Sequence, residues 1–96
     1  MTESDLKKIV QSTFALQEKT LQKLDQFSLK LQQWNRVYRL IGTADPTVIW
    51  DEHFFDCLQL KPFLESKKNV LDLGSGAGLP GLVLAIALPQ VQVTLV

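Results

Sequence analysis

The fold is decided by one stretch of the sequence, Asn69-Val-Leu-Asp-Leu-Gly-Ser-Gly-Ala-Gly-Leu-Pro-Gly81, which is followed directly by Leu82-Val-Leu-Ala-Ile-Ala-Leu88. Val70, Leu71 and Leu73 favour a β-strand that ends in a cluster of glycines. An apolar segment of helical length begins behind the cluster. α/β folds use this order of strand, glycine-rich turn and helix to hold a nucleotide-like ligand at the carboxyl end of a strand.

A second strand is predicted at the end of the sequence. Pro80 suits the first turn of the helix, which we expect to run to Leu88, and Pro89-Gln90 forms a turn. Residues 91–96 then alternate and are rich in β-branched side chains. Strand, helix and strand in this order make a βαβ unit, so we predict two parallel strands joined by a right-handed crossover.

The residues before this unit are predicted to be helical. Thr2 can cap a first helix, with Asp5 completing a capping box, and a weak break falls at Ala15–Gln17. A longer helix is expected from about Gln17 to Leu40. Its predicted apolar stripe consists of Leu24, Phe27, Leu31, Trp34 and Tyr38, with Leu21 at the margin.

Capping residues also predict a third helix. Gly42 is predicted to end the long helix. Asp45 and Pro46 supply the N-cap and the first position of the next one. This third helix is expected to run from Thr47 to about residue 60, to bury much of its apolar surface, and to be limited by Pro62.

The charge is balanced overall but unevenly placed. The 96 residues carry no formal net charge, yet residues 1–41 contain seven Lys or Arg against four Asp or Glu. Lys19, Lys23 and Lys30 cluster beside the apolar stripe of the long helix. Two interpretations stay open: their stems cover apolar surface, or their ammonium groups face phosphate.

Composition excludes several classes of protein. Cys57 is alone, so no internal disulfide forms and a reduced, cytoplasmic setting is expected. The longest apolar run is far below the ~20 residues that span a bilayer, and we predict no membrane partner. His53 and Asp56 share a helical face, but the sequence holds no second His or Cys, which argues against a metal site. We interpret His53 as held by a local carboxylate or as lining a cleft.

The glycine-rich turn fits two patterns. Gly76, Gly78 and Gly81 satisfy G-x-G-x-x-G, the dinucleotide signature, although the first glycine lies too far behind the strand. Alternatively, Asp72 followed by Gly74, Gly76 and Gly78 is similar to the first motif of S-adenosylmethionine-dependent methyltransferases. A carboxylate at the strand end suits a cationic ligand, whereas a dinucleotide needs backbone N–H groups aimed at phosphate. A turn that serves only close strand–helix packing is the structural alternative.

Three separated motifs carry a resemblance that covers most of the chain. The first is Trp34-Asn35 with Tyr38 and Leu40, and the second is Asp45-Pro46 followed by His53-Phe-Phe-Asp56-Cys57-Leu58. The third and most specific is Asp72-Leu-Gly-Ser-Gly-Ala-Gly-Leu-Pro-Gly81. Together they resemble the bacterial small-subunit ribosomal RNA guanine-N7 methyltransferases, long called glucose-inhibited division protein B, over the N-terminal half of that family.

The resemblance implies a truncated α/β fold. Residues 1–66 would form an N-terminal helical cap, and residues 67–96 would form the first βαβ unit of a Rossmann-like methyltransferase domain. The family's cofactor is S-adenosyl-L-methionine, and the matching positions here are Gly74, Gly76, Gly78 and Leu79, with Gly74 and Leu79 at the cleft walls. His53 and Asp56 would belong to the segment that closes over the cleft.

The activity implied is methyl transfer to N7 of a guanine in 16S ribosomal RNA, in the cytoplasm. N7 carries a lone pair and no proton, so positioning and electrostatics can supply most of the catalysis, and no catalytic residue is identified. The chain departs from the family at Arg39-Leu40-Ile41-Gly42, where Asn and Thr are usual, and at Glu52 and Cys57. These departures affect the region facing RNA or the lid, not the loop.

The chain stops in the second strand, so we expect a fragment with little or no activity and at best weak cofactor binding. Two strands leave unpaired edges, which predicts self-association. Two other functions remain open. One is a non-catalytic helical interaction module formed by residues 1–60, and the other is a fragment of an NAD-dependent oxidoreductase.

Overall fold

The computed structural model describes residues 1–39, 41–43, 45–73, 79 and 81–96. Its elements, in chain order, are α1 (Glu3–Thr13), α2 (Glu18–Tyr38), α3 (Pro46–Val48), a π-helical segment (Ile49–Phe54), α4 (Phe55–Leu58), α5 (Lys61–Leu64), β1 (Asn69–Asp72), α6 (Gly81–Ala87) and β2 (Gln92–Leu95). β1 and β2 pair in parallel, with Asn69 opposite Gln92 and Asp72 opposite Leu95. The predicted mixture of helices with a parallel strand pair is confirmed.

The start of α1 follows the predicted capping box. The Asp5 backbone N–H donates to Thr2 Oγ1 at 3.1 Å, and the Thr2 backbone N–H donates to Asp5 Oδ2 at 3.0 Å. This bond from the Thr2 backbone lowers the pKa of the Asp5 carboxyl. α1 then buries Leu6 and Val10.

The predicted break between the first two helices is confirmed. α1 ends at Thr13, and Ala15 has a positive φ of 53°. The Gln11 side-chain amide donates to the Leu16 carbonyl at 3.3 Å, which ties the turn to α1. Lys7 then joins the two helices, because its Nζ lies 2.8 Å from Glu3 Oε2 and 2.6 Å from Asp25 Oδ1.

The end of α2 corrects the prediction that Gly42 terminates it. α2 ends at Tyr38, and Arg39 adopts the left-handed conformation with φ 48° and ψ 60°. The Arg39 N–H donates to the Asn35 carbonyl at 3.1 Å, and the Ile41 N–H donates to Asn35 Oδ1 at 2.8 Å. The Asn35 side chain therefore binds the backbone just after α2, and the helix ends before Gly42.

The predicted apolar stripe of α2 is right at its centre and wrong at its C-terminal end. Leu24 and Leu31 are buried, and Phe27 stacks on Phe54 at a centroid distance of 5.7 Å. Trp34 and Tyr38, however, are 51% and 65% exposed. Helical periodicity gives the direction of the core but not its extent along the helix, and the buried residues described in α2 stop at Leu31.

The third helical region begins as predicted but is not one α-helix. Asp45 Oδ1 accepts a hydrogen bond from the Thr47 N–H at 2.9 Å, as expected of the N-cap. The turn then widens: the Phe55 N–H donates to the Trp50 carbonyl, five residues back. Leu60 is 43% exposed. Pro62, in the first turn of α5, begins a new short helix.

One buried cluster draws on both halves of the chain. Trp50 and Phe54 are fully buried at its centre, in edge-to-face contact at 5.0 Å. Val83 and Ala87 bring the inner face of α6 into the same cluster. The boundary between residues 66 and 67 stays a prediction. No helix in the described ranges is long and apolar enough to cross a membrane.

Candidate functional site

The structure describes one of the four predicted cofactor-binding residues. Leu79 is half-buried, whereas Gly74, Gly76 and Gly78 lie outside the described residues. The glycine-rich turn is therefore characterised by its two ends, where β1 stops and α6 begins.

The two ends of the turn are joined by a hydrogen bond. Asp72 Oδ2 accepts from the Gly81 backbone N–H at 2.9 Å in a partly buried position. The carboxylate satisfies an N–H at the start of α6, where negative charge is also favoured by the helix dipole. Sequence reasoning assigned Asp72 to a cationic ligand and missed this bond. The contact between Asp72 and a ligand stays a prediction.

Gly81 packs closely against the Asp72 and Leu95 side chains. A Cβ at this position would lie 2.5 Å from Asp72 Oδ2 and 3.0 Å from Asp72 Cβ, and it would also collide with Leu95 Cδ2. A larger residue would have to displace the ends of the Asp72 and Leu95 side chains, so glycine lets α6 start close to both strands with the Asp72 hydrogen bond in place. The last glycine of G-x-G-x-x-G has the same function in dinucleotide-binding folds, namely close helix–strand packing.

A cavity of about 390 Å³ lies next to the turn. Its lining joins residues from two separate parts of the sequence, which are Glu52, His53, Asp56, Cys57, Gln59, Leu60 and Leu79. Leu79 follows β1, so the cavity lies towards the carboxyl end of the strands. The structure thus brings together Leu79, His53 and Asp56, which sequence analysis took from two different motifs.

The π-helical segment positions the polar side of this cavity. Ile49, Trp50 and Phe54 point into the core, which fixes the orientation of the segment. His53 is half-buried in the cavity lining, and in the part of the chain that the structure describes it makes no hydrogen bond. Its position fits the cleft-lining interpretation of this residue. The π-helical geometry gave no signal in the sequence, since its residues fit an α-helical pattern equally well.

The pKa of the Cys57 thiol reflects the burial and the charges around the cavity. Burial, reinforced by the negative charges of Asp56 and Asp72, raises the pKa of this thiol to about 11. The thiol is therefore neutral and is no nucleophile near neutral pH. Two carboxylates acting on one thiol indicate a negative potential at the lining, which favours a cation over an anion.

A second cavity, of about 300 Å³, lies elsewhere. Its lining is Ala15, Leu16, Gln17, Thr20, Lys61, Glu65 and residues 87–90. Several of these residues directly precede β2, so this cavity lies towards the amino end of that strand.

No group of three or more His, Cys, Asp or Glu in the described residues is arranged to hold a metal ion.

Comparison with known proteins finds relatives over most of the chain. The family model for rRNA small subunit methyltransferase G matches residues 20–96. A relative from Anaeromyxobacter sp. (strain Fw109-5), named ribosomal RNA small subunit methyltransferase G, is 45% identical over 74 residues, covering 77% of this chain and 34% of the relative. A relative of that name from Dichelobacter nodosus is 40% identical over 84 residues, which are 88% of this chain and 40% of the relative.

A third relative of the same name, from Methylobacterium nodulans, aligns with the whole chain. It is 39% identical over 100 positions, which are 100% of this chain and 47% of the relative. The chain thus spans less than half the length of each of these three relatives.

Proposed function

This chain belongs to the rRNA small subunit methyltransferase G family, and on that basis we propose that it takes part in S-adenosylmethionine-dependent methyl transfer to guanine N7 of 16S ribosomal RNA in the cytoplasm. It supplies the wall of the cleft formed by the glycine-rich turn and the π-helical segment. Gly74, Gly76, Gly78 and Leu79 are the proposed cofactor contacts.

The observation that carries this proposal is the cavity that joins Leu79 to His53 and Asp56. Ligands of open α/β sheets bind beyond the carboxyl ends of the strands, which is where this cavity lies. Leu79 offers an apolar wall, and the neutral Cys57 thiol adds a second weakly polar surface that excludes water.

The charges of the lining fit the proposed chemistry. S-adenosylmethionine supplies an electrophilic methyl group on a positively charged sulfur. Transfer of that methyl to the neutral N7 would leave the positive charge on the base, so the site would hold one cation before and after the step. Glu52 and Asp56, which line the cavity, would stabilise a cation in either place. Because N7 carries no proton, no general base is assigned, and His53 is proposed to position the reactants.

Two ligands that differ in the charge on sulfur test the role of the carboxylates. We expect Asp56→Asn to raise the Kd for S-adenosylmethionine about three- to ten-fold more than the Kd for S-adenosylhomocysteine, because one carboxylate near a sulfonium contributes roughly 1 kcal/mol. Glu52→Gln should act in the same direction. Both constants are obtained from NMR titrations, which remain accurate for weak binding.

Asp51→Asn is the matched control for this experiment. Asp51 lies in the same π-helical segment but lines another cavity, with Met1 and Thr47. The Asp51→Asn variant removes one negative charge and should leave the ratio of the two Kd values unchanged. An equal effect of Asp51→Asn and Asp56→Asn, or an equal loss for both ligands, would contradict the proposed role of the cavity.

Membership of the methyltransferase family argues against the nicotinamide-dependent oxidoreductase, although Gly81 performs the packing function of the last glycine in the dinucleotide signature. Thermal unfolding separates the two proposals, since a ligand that binds only the folded chain raises its Tm. We expect S-adenosylhomocysteine to raise the Tm and NADH to leave it unchanged. Stabilisation by NADH alone would favour the oxidoreductase.

A further inference from the structure

One face of α2 carries a row of exposed basic and aromatic side chains. Lys19, Lys23, Lys30 and Trp34 fall within about 60° of one another at 100° per residue, and all four are exposed. Tyr38 continues the row one turn beyond Trp34. At 1.5 Å per residue the row from Lys19 to Trp34 is about 22 Å long. These five residues are called the α2 row below.

The α2 row lies in a positively charged environment. The segment from residue 26 to residue 44 contains Lys30, Arg36 and Arg39 but no Asp or Glu. The two acidic groups of α2 have partners in α1, since Glu18 accepts a hydrogen bond from the Gln11 side chain and Asp25 pairs with Lys7. Among the described residues, the three lysines of the row form no ion pair. Their charges are therefore not compensated by the contacts that the structure describes.

The aromatic end of the row is exposed. Trp34 and Tyr38 stack on each other at a centroid distance of 5.8 Å and an angle of 20°, and Val37 beside them is 70% exposed. Asn35 fixes the backbone at this end through its hydrogen bond with the Ile41 N–H. An exposed apolar patch of this kind is typical of an interaction site.

We propose that the α2 row binds single-stranded RNA, with an unpaired base stacked on Trp34 and phosphates contacted by Lys19, Lys23 and Lys30. Aromatic rings next to lysines are the standard means of holding unstacked bases without reading their sequence. Protein interfaces are depleted in lysine, which favours RNA over a protein partner. This inference rests on the proposed function, because it names the surface that would hold the RNA substrate outside the methyl-transfer cleft.

Tryptophan fluorescence gives a selective readout of the α2 row. The chain contains two tryptophans, and Trp50 is fully buried, so quenching by a stacked base reports Trp34. We expect saturable quenching when the chain is titrated with an unstructured oligoribonucleotide of about eight nucleotides at low salt. An abasic oligonucleotide of the same length should bind more weakly and quench less.

Variants separate stacking from charge. Affinity measured by fluorescence anisotropy of labelled RNA should fall about ten-fold in Trp34→Leu, since one base loses its stacking partner. Phe63→Leu is the matched control, because Phe63 is 73% exposed but lies in α5. Lys23→Gln should reduce the slope of log K against log salt by about 0.7, the value for one phosphate contact on a single strand. Lys8→Gln, an exposed lysine of α1, should leave the slope unchanged.

These measurements decide whether the α2 row binds RNA. Equal affinities for Trp34→Leu and Phe63→Leu, or no saturable binding at low salt, would contradict the inference. So would Trp34 quenching that rises with protein concentration in the absence of RNA, because the row would then be a contact between copies of the chain. S-adenosylhomocysteine binding by Trp34→Leu is measured in parallel. Loss of RNA binding with retained cofactor binding in this variant supports this surface. A parent chain that binds RNA normally but does not bind S-adenosylhomocysteine refutes the methyl-transfer site alone.

Discussion

Cys57 gives the chain a defined response to alkaline pH. Burial, reinforced by Asp56 and Asp72, raises the pKa of its thiol from the ordinary 9.0 to about 11. The folded state therefore keeps a proton that the unfolded state loses between these two values. This difference stabilises the folded state fully below pH 9. As the pH rises through 11, the free energy of unfolding falls by roughly 2 kcal/mol.

Urea unfolding of the chain and of Cys57→Ala, measured from pH 8 to pH 11, isolates this contribution. The two proteins share every other ionisable group, so the difference between their pH dependences belongs to Cys57. We expect the parent chain to lose more stability than the variant above pH 9. Parallel curves would contradict the assignment of a raised pKa.

Side-chain roles were predictable where the residue type itself carries the chemistry. The Thr2–Asp5 capping box and the Asp45 N-cap are formed by residues a few positions apart, so the sequence contains all of their determinants. Asn35 was missed, because its bond to the Ile41 N–H depends on how the chain turns after α2. The Asp72–Gly81 bond spans the whole glycine-rich turn and was missed for the same reason.

At the scale of elements, the junction between β1 and α6 depends on Asp72. α6 has only seven residues, so the loss of one cap bond matters. We expect Asp72→Ala to lower the free energy of unfolding by about 1–2 kcal/mol, since the Gly81 N–H loses its acceptor and the helix dipole loses a counter-charge.

Asp72→Asn is the control for this junction. It keeps a side-chain oxygen that can accept the Gly81 N–H but removes the charge, so its loss of stability in urea unfolding should be clearly smaller than that of Asp72→Ala. Equal losses for the two variants would show that charge, not the hydrogen bond, dominates. An unchanged Asp72→Ala would contradict the capping role altogether.

The helices were easier to predict at their starts than at their ends. Starts are marked by local capping chemistry, whereas the end of α2 depends on Asn35 and on where the core stops. The π-helical segment could not be predicted, because burying Trp50 and Phe54 together is a matter of packing against α1 and α2. This segment nevertheless places His53 in the cavity.

In the molecule as a whole, one exposed apolar surface lies on and beside the two-stranded sheet. Leu71, Leu73 and Val96 are 58%, 73% and 69% exposed, around a strand pair that has no further partner in the described ranges. We propose that the chain self-associates through this sheet as concentration rises. Sedimentation velocity over a concentration series tests this, and a strictly monomeric species throughout would contradict it.

A charged residue on the sheet should suppress the association. We expect Leu71→Lys to shift the chain towards monomer, because an exposed lysine on a strand opposes edge pairing. Phe63→Lys places the same charge on an equally apolar, exposed position of α5 and should leave the association unchanged. The reverse ranking of the two variants would move the contact from the sheet to the helices.

The overall arrangement was predictable in outline. The strand–helix–strand order fixed the parallel pairing of β1 and β2, and the motifs pointed to the family now established. The shared core was not foreseen, since α6 packs Val83 and Ala87 into the same cluster as Trp50. A division by sequence motif treats the helices as a separate cap and does not indicate how closely they pack on the βαβ unit.

We propose that the cofactor binds in the cavity between the π-helical segment and Leu79. The most direct test is an NMR titration of the ¹⁵N-labelled chain with S-adenosylhomocysteine, followed through backbone amide shifts. We expect saturable shifts concentrated at residues 52–60 and 79, with residues 15–17 and 87–90 of the second cavity unaffected. Shifts centred on the second cavity, or no shifts at millimolar ligand, would contradict it.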